Sequence, residues 1–151
     1  MATVEKNTLR ETGKKVREEV RQAFGKVPGW VEELPPQALE GFWGVMRDFQ
    51  LGETAIPNKY KELIGLAVAG ATRCRYCALF HTEAASLFGA TDEEIAEAAM
   101  MAAHTMSAST FLNAMQIDYD EFHRETLAAV AYVRDHMPPP QPGRGSSQVH
   151  A

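Results

Sequence analysis

The run Cys74-Arg75-Tyr76-Cys77-Ala78-Leu79-Phe80-His81 holds the chain's only two cysteines and a histidine one helical turn beyond the second. On a helix advancing about 100° per residue, Cys77 lies about 60° from Cys74, with His81 between them in projection. All three side chains then share one face. A chain break just before Cys74 puts both sulfurs in the first turn, where unpaired N–H groups and the positive end of the dipole favour a thiolate. A thiolate attacks peroxides and disulfides, and a second thiol three residues away can capture the resulting sulfenic acid as a disulfide. His81, four residues after Cys77, is within reach to take its proton.

Glu62 is the expected fourth member. A carboxylate at the start of an apolar helix could simply face water beside Lys59 and Lys61. The spacing favours a role at the site. If the helices before and after Arg73 form an antiparallel hairpin, Glu62 lies about 16 Å back from the turn and His81 about 10 Å beyond it. The two then sit about one turn apart in level. A carboxylate orienting a histidine that activates a thiol is a coherent proton path.

The elements that must position these residues read as helices throughout, giving an all-α fold of about six helices. Residues 3–24 place Leu9, Val16, Val20 and Phe24 on one side, and Gly25, Pro28 and Gly29 end the pattern. After a connector with an anchoring Trp30, residues 36–49 carry the stripe Leu39, Phe42, Trp43, Met46 and Phe49. Both tryptophans are expected in the core. A third helix opens at Pro57 and runs to about residue 72; it is apolar all round beyond Glu62, and so belongs at the centre of the molecule. A fourth covers residues 74–88, closed by Gly89. Thr91-Asp92-Glu93-Glu94 is a capping start for a fifth, to about residue 116, rich in Ala, Met, Ser and Thr. A sixth covers residues 118–136. The expected organisation is one domain, 1–137, with a Pro/Gly-rich tail at 138–151. The small-residue fifth helix could simply allow close helix packing inside the bundle. The alternative, with Met100, Met101, Met106, Phe111 and Met115 as adaptable contacts, is a subunit interface, and with so many apolar residues to cover a homo-oligomer is expected.

Composition narrows the partners. With 151 residues and 45% hydrophobic content the chain can build a core, and its net charge of −5 is too small for a disordered protein. An excess of acids over Lys and Arg, 20 to 15, argues against nucleic-acid binding. The longest apolar stretch, residues 63–71, is about half of a membrane span. The charged first nineteen residues lack the apolar centre of a signal peptide, so the expected compartment is the cytoplasm. Two cysteines three apart close too short a loop to staple a fold, which points to chemistry instead.

Glu62, eleven mostly small or apolar residues, then Cys74-x-x-Cys77-x-x-x-His81 resembles the AhpD-like/carboxymuconolactone decarboxylase family, and the segment from His81 through Ala98 continues the likeness. The resemblance covers about residues 55–115. It implies an all-α AhpD-like bundle assembled into trimers or hexamers. The implied activity is a cofactor-free thiol peroxidase or disulfide reductase. Cys77 would be the thiol attacked by peroxide, activated through His81 and Glu62; Cys74 would be the resolving thiol that meets an external dithiol or protein reductant. AhpD itself carries a histidine immediately before the second cysteine, where this chain has Tyr76, which removes one proposed member of the proton path. Decarboxylases of the family generally lack the cysteine pair, so that activity is not expected.

Two other readings remain open on sequence. Cys74, Cys77 and His81, completed by His104 or Glu62, could ligate a metal, although the spacing is compact and no second Cys/His pair exists. An oligomeric, non-catalytic redox sensor is the other. Leu79 and Phe80 flank the cysteines and are candidates for an apolar pocket wall.

Overall fold

The computed structural model describes residues 2–136, with side chains from residue 7 onward; the Pro/Gly-rich segment 138–151 lies outside the described residues. Every regular element among them is helical: α1 (Ala2–Phe24), α2 (Gly29–Glu32), α3 (Pro36–Gly44) continued by a π-helical stretch (Val45–Gln50), α4 (Asn58–Ala71), α5 (Arg75–Leu87), α6 (Asp92–Ala114) and α7 (Tyr119–His136). The all-α expectation holds. The element added to the expected six is the single turn α2, whose Val31 is buried.

The described residues fall into two compact units, divided between His104 and Thr105. The first contains the core cluster, built from Val16 and Val20 of α1, Val31 of α2, Leu39 and Trp43 of α3, and Met46 of the π stretch. Phe24 meets Trp43 edge-to-face at 5.8 Å. The Trp43 indole donates to Glu19 at 2.9 Å, and Arg47 donates to the same carboxylate at 2.7 Å. These bonds hold the Glu19 carboxyl below the usual carboxylate range. Trp30 departs from the core expectation. It is 46% exposed and packs edge-to-face on Phe42 instead.

The π stretch explains a second departure. Its wider turn shifts every later residue off the 3.6-residue stripe, so Phe49 is exposed while Leu39, Trp43 and Met46 are buried. Phe42, ahead of the π stretch, also departs from the expected stripe, exposed and packed on Trp30. Helix α4 also differs from an all-round buried helix. Only the line Glu62, Leu66, Ala69 is buried, and Ile64 and Val68 face outward because no element of the first unit covers that side.

Helices α4 and α5 are packed together and joined by a turn of three residues. Arg73 takes the left-handed conformation there (φ 57°), and the Cys74 N–H bonds to the Ala69 carbonyl at 2.9 Å, closing α4 as a Schellman-type end. Gly89 (φ 82°) closes α5 in the same way, with Ala90 N–H bonded to Ala85 O. Thr91 and Glu94 then cap α6 reciprocally: the Thr91 N–H donates to the Glu94 carboxylate and the Glu94 N–H to the Thr91 hydroxyl. In the second unit, Thr105, Ser109, Leu112, Ile117, Tyr119 and Phe122 line an open cleft of about 470 Å³.

Candidate active site

The left-handed turn at Arg73 delivers Cys74 as the residue that caps α5 rather than as its first helical residue. Its backbone is extended (φ −85°, ψ 93°) and its sulfur accepts the Cys77 N–H at 3.2 Å. Cys74 and Cys77 form a disulfide, with Cα atoms 5.3 Å apart. Cys77 is exposed and Cys74 half-buried.

The hairpin brings Glu62 of α4 to His81 of α5 directly, without an intervening water. The Glu62 Oε2 lies 2.6 Å from His81 Nδ1. Glu62 is 0% exposed and is the one buried charged side chain among the described residues. The His81 side chain is 20% exposed. A buried carboxylate demands partners, because an unpaired charge in an apolar setting costs several kcal/mol, on the order expected for lost hydration. The partner of its other oxygen is Gln50, whose Nε2 donates to Oε1 at 3.4 Å. Sequence reasoning missed Gln50, since no 3.6-residue pattern reveals a π turn.

Sequence reasoning also missed Gly65. A Cβ on it would fall 2.5 Å from His81 Nδ1 and 2.7 Å from Nε2, well inside contact distance. The bare backbone of α4 therefore forms the wall against which the imidazole lies, three residues after Glu62. Phe80 meets the ring edge-to-face at 5.5 Å on its own helix and packs against the core cluster.

The remaining sequence candidates separate clearly. Tyr76 is 73% exposed, and its ring and hydroxyl engage the Arg75 guanidinium, stacked at 4.9 Å and hydrogen-bonded at 3.0 Å. Leu79 and Phe80 do line a groove of about 420 Å³, with Tyr76, Phe24, Leu51 and Leu87. His104 is exposed on α6. Among the described residues no three or more His, Cys, Asp or Glu side chains group as a metal site, and both sulfurs are engaged in the disulfide. No described helix is long and apolar enough to cross a membrane.

A solved structure, the alkylhydroperoxidase AhpD core of Rhodospirillum rubrum, superposes with a TM-score of 0.66 and 31% identity, over 80% of this chain and 90% of that one. An uncharacterized protein of Cupriavidus necator is 35% identical over 79 residues, 52% of this chain. Uncharacterized protein 4 in the cox locus of Paracoccus denitrificans is 37% identical over 60 residues, 40% of this chain. The matches span 66% and 54% of those two relatives' own lengths. Residues 36–118, more than half of the 151, match the carboxymuconolactone decarboxylase family, and they contain Gln50, Glu62, Gly65, both cysteines and His81: the chain belongs to that family.

Proposed function

We propose that the protein is a cofactor-free thiol oxidoreductase that reduces a hydroperoxide or a disulfide through Cys77 and Cys74. The observation that carries this reading is the buried Glu62 carboxylate at 2.6 Å from His81, one turn from a cysteine pair able to form a disulfide. Its likeness to a solved alkylhydroperoxidase core supports the same chemistry. With Glu62 ionised, His81 donates from Nδ1 and keeps Nε2 as a proton acceptor for the Cys77 thiol. The Cys77 thiolate attacks the outer oxygen of the hydroperoxide; the O–O bond breaks, and the alkoxide leaves with a proton as alcohol. Cys74 then attacks the sulfenic sulfur, water leaves, and the disulfide forms. An external dithiol or protein reductant supplies two electrons and two protons to reopen it. A reducing compartment such as the cytoplasm is the setting in which this cycle repeats.

The working unit in this proposal is a homo-oligomer, trimer or hexamer. Its support is the number of large apolar side chains exposed on α6 and α7, among them Met100, Met101, Phe111, Leu127 and Val130.

The test is the rate of Cys74–Cys77 disulfide formation when reduced protein meets a hydroperoxide or a small disulfide. His81→Asn and Glu62→Gln are each expected to slow it by about 100-fold, the lower end of a general base's contribution. Unchanged rates in both variants would remove the proton path from the proposal.

A further inference from the structure

Gln50 has no counterpart in the cysteine–histidine pattern, yet the fold goes to some length to hold it in place. It is the last residue of the π stretch, and that stretch ends at Glu62's level on α4. Lys61 donates to the Phe49 carbonyl at 2.6 Å and also to the Gly52 carbonyl, on either side of Gln50. Asn58 donates to the Leu51 carbonyl at 2.8 Å. A Cβ on Gly52 would lie 2.6 Å from the Asp48 carbonyl oxygen, so the chain closes back tightly on itself there. Three backbone carbonyls around Gln50 are therefore tied to α4, and the side chain between them is delivered to the otherwise unpaired Oε1 of Glu62.

We infer that Gln50 is a positioning residue of this site: its amide holds the buried Glu62 carboxylate oriented towards His81 Nδ1. The inference rests on the proposed proton path from Cys77 through His81 to Glu62. His81 of α5 is the sole ionisable partner within ion-pair distance of Glu62 among the described residues. Lys61 is turned to the Phe49 and Gly52 carbonyls, and Lys59 is paired with Glu94 of α6. From the π stretch only the neutral amide of Gln50 reaches the carboxylate. A neutral donor satisfies Oε1 at every pH without competing for the proton that passes through His81. Removing it leaves a buried oxygen without a partner, raises the cost of the carboxylate charge, and weakens His81 as a base.

The experiment is the rate of Cys77 alkylation by iodoacetamide as a function of pH, on fully reduced full-length protein, with peptide mapping to separate Cys77 from Cys74. Gln50→Met keeps the length and removes the donor. Its profile is expected to move to higher pH by about half to one unit, with Cys77 about threefold to tenfold slower at neutral pH. Gln50→Glu keeps the shape and donates only when protonated. Its deficit against the wild type is expected below the midpoint and to close at high pH, where every thiol is ionised; a purely structural link between the π stretch and α4 would leave a rate difference that does not depend on pH. Circular dichroism establishes that each variant is folded before its profile is taken, because an unfolded fraction would add the profile of an ordinary thiol, and the isosteric Glu variant guards against poor packing of Met. His81→Asn and Glu62→Gln serve as references. If they move the profile while both Gln50 variants overlay the wild type, the inference is overturned and the proton path stands. If the references themselves overlay the wild type, the proton path fails and the inference with it.

Discussion

At the scale of single residues, the site depends on what is missing as much as on what is present. His81 can lie against α4 only because position 65 has no side chain. Gly65→Ala raises helix propensity by about 1 kcal/mol and should favour α4 on that ground alone. It also forces the imidazole away from Glu62. The expected outcome is a helix content no lower than wild type, with disulfide formation by hydroperoxide slowed at least about tenfold, the loss a broken charge-assisted hydrogen bond brings. Circular dichroism beside a stopped-flow thiol assay reads both. A variant as fast as wild type would show that His81 does not need its present position. The cysteines, His81 and Glu62 were legible in sequence because their types are rare in such a segment and helix periodicity fixes their relative levels. Gly65 and Gln50 were not. Glycine is common in apolar helices, and its role shows only when the neighbouring helix is in place.

At the scale of elements, helix ends do most of the positioning. Thr91-Asp92-Glu93-Glu94 was readable as a cap, and the structure returns both reciprocal bonds. Glu94 also bonds Lys59 at 2.7 Å, tying the start of α6 to α4 three residues before Glu62. The hydrogen bond from Lys59, followed by that from the Thr91 backbone, lowers the Glu94 carboxyl below its usual range. The same bond raises Lys59. A carboxyl lowered on folding contributes stability at neutral pH that is lost as pH falls through the carboxylate range. The lysine contribution is present below its unfolded value and lost as pH rises through the folded one. Glu94→Gln keeps the cap and removes the ion pair, so its melting-temperature deficit should be visible at neutral pH and vanish in acid. Thr91→Ala removes the cap, and should cost about 1 kcal/mol. Most of that persists in acid, because only the Thr91 hydrogen bond that, after Glu93's own backbone N–H, lowers the Glu93 carboxyl titrates. Parallel pH courses for the two variants would contradict this division. The π stretch marks the limit of periodicity: residues 36–49 read as one regular helix, and the wider turn that exposes Phe49 and presents Gln50 has no compositional sign.

At the scale of the whole molecule, the proposed assembly rests on apolar side chains of α6 and α7 that are exposed among the described residues. No residue of α6 or α7 is buried, although Met, Phe, Leu and Val recur along both. The expectation of an interface at α6 rested on its methionines and Phe111 as adaptable contacts, and Trp30 misled because residue type alone does not say which face is buried. Light scattering of the full-length protein should return a mass of three or six chains; a monomer at micromolar concentration would contradict the proposed assembly. The central claim is that one Cys74–Cys77 pair turns over. It is tested most directly by following hydroperoxide consumption by the full-length protein with a large excess of dithiol, beside Cys77→Ser. The account predicts many hydroperoxide molecules consumed per chain by the wild type, and none above the dithiol background by Cys77→Ser. Consumption that stops at one equivalent per chain, or that survives in Cys77→Ser, would contradict it.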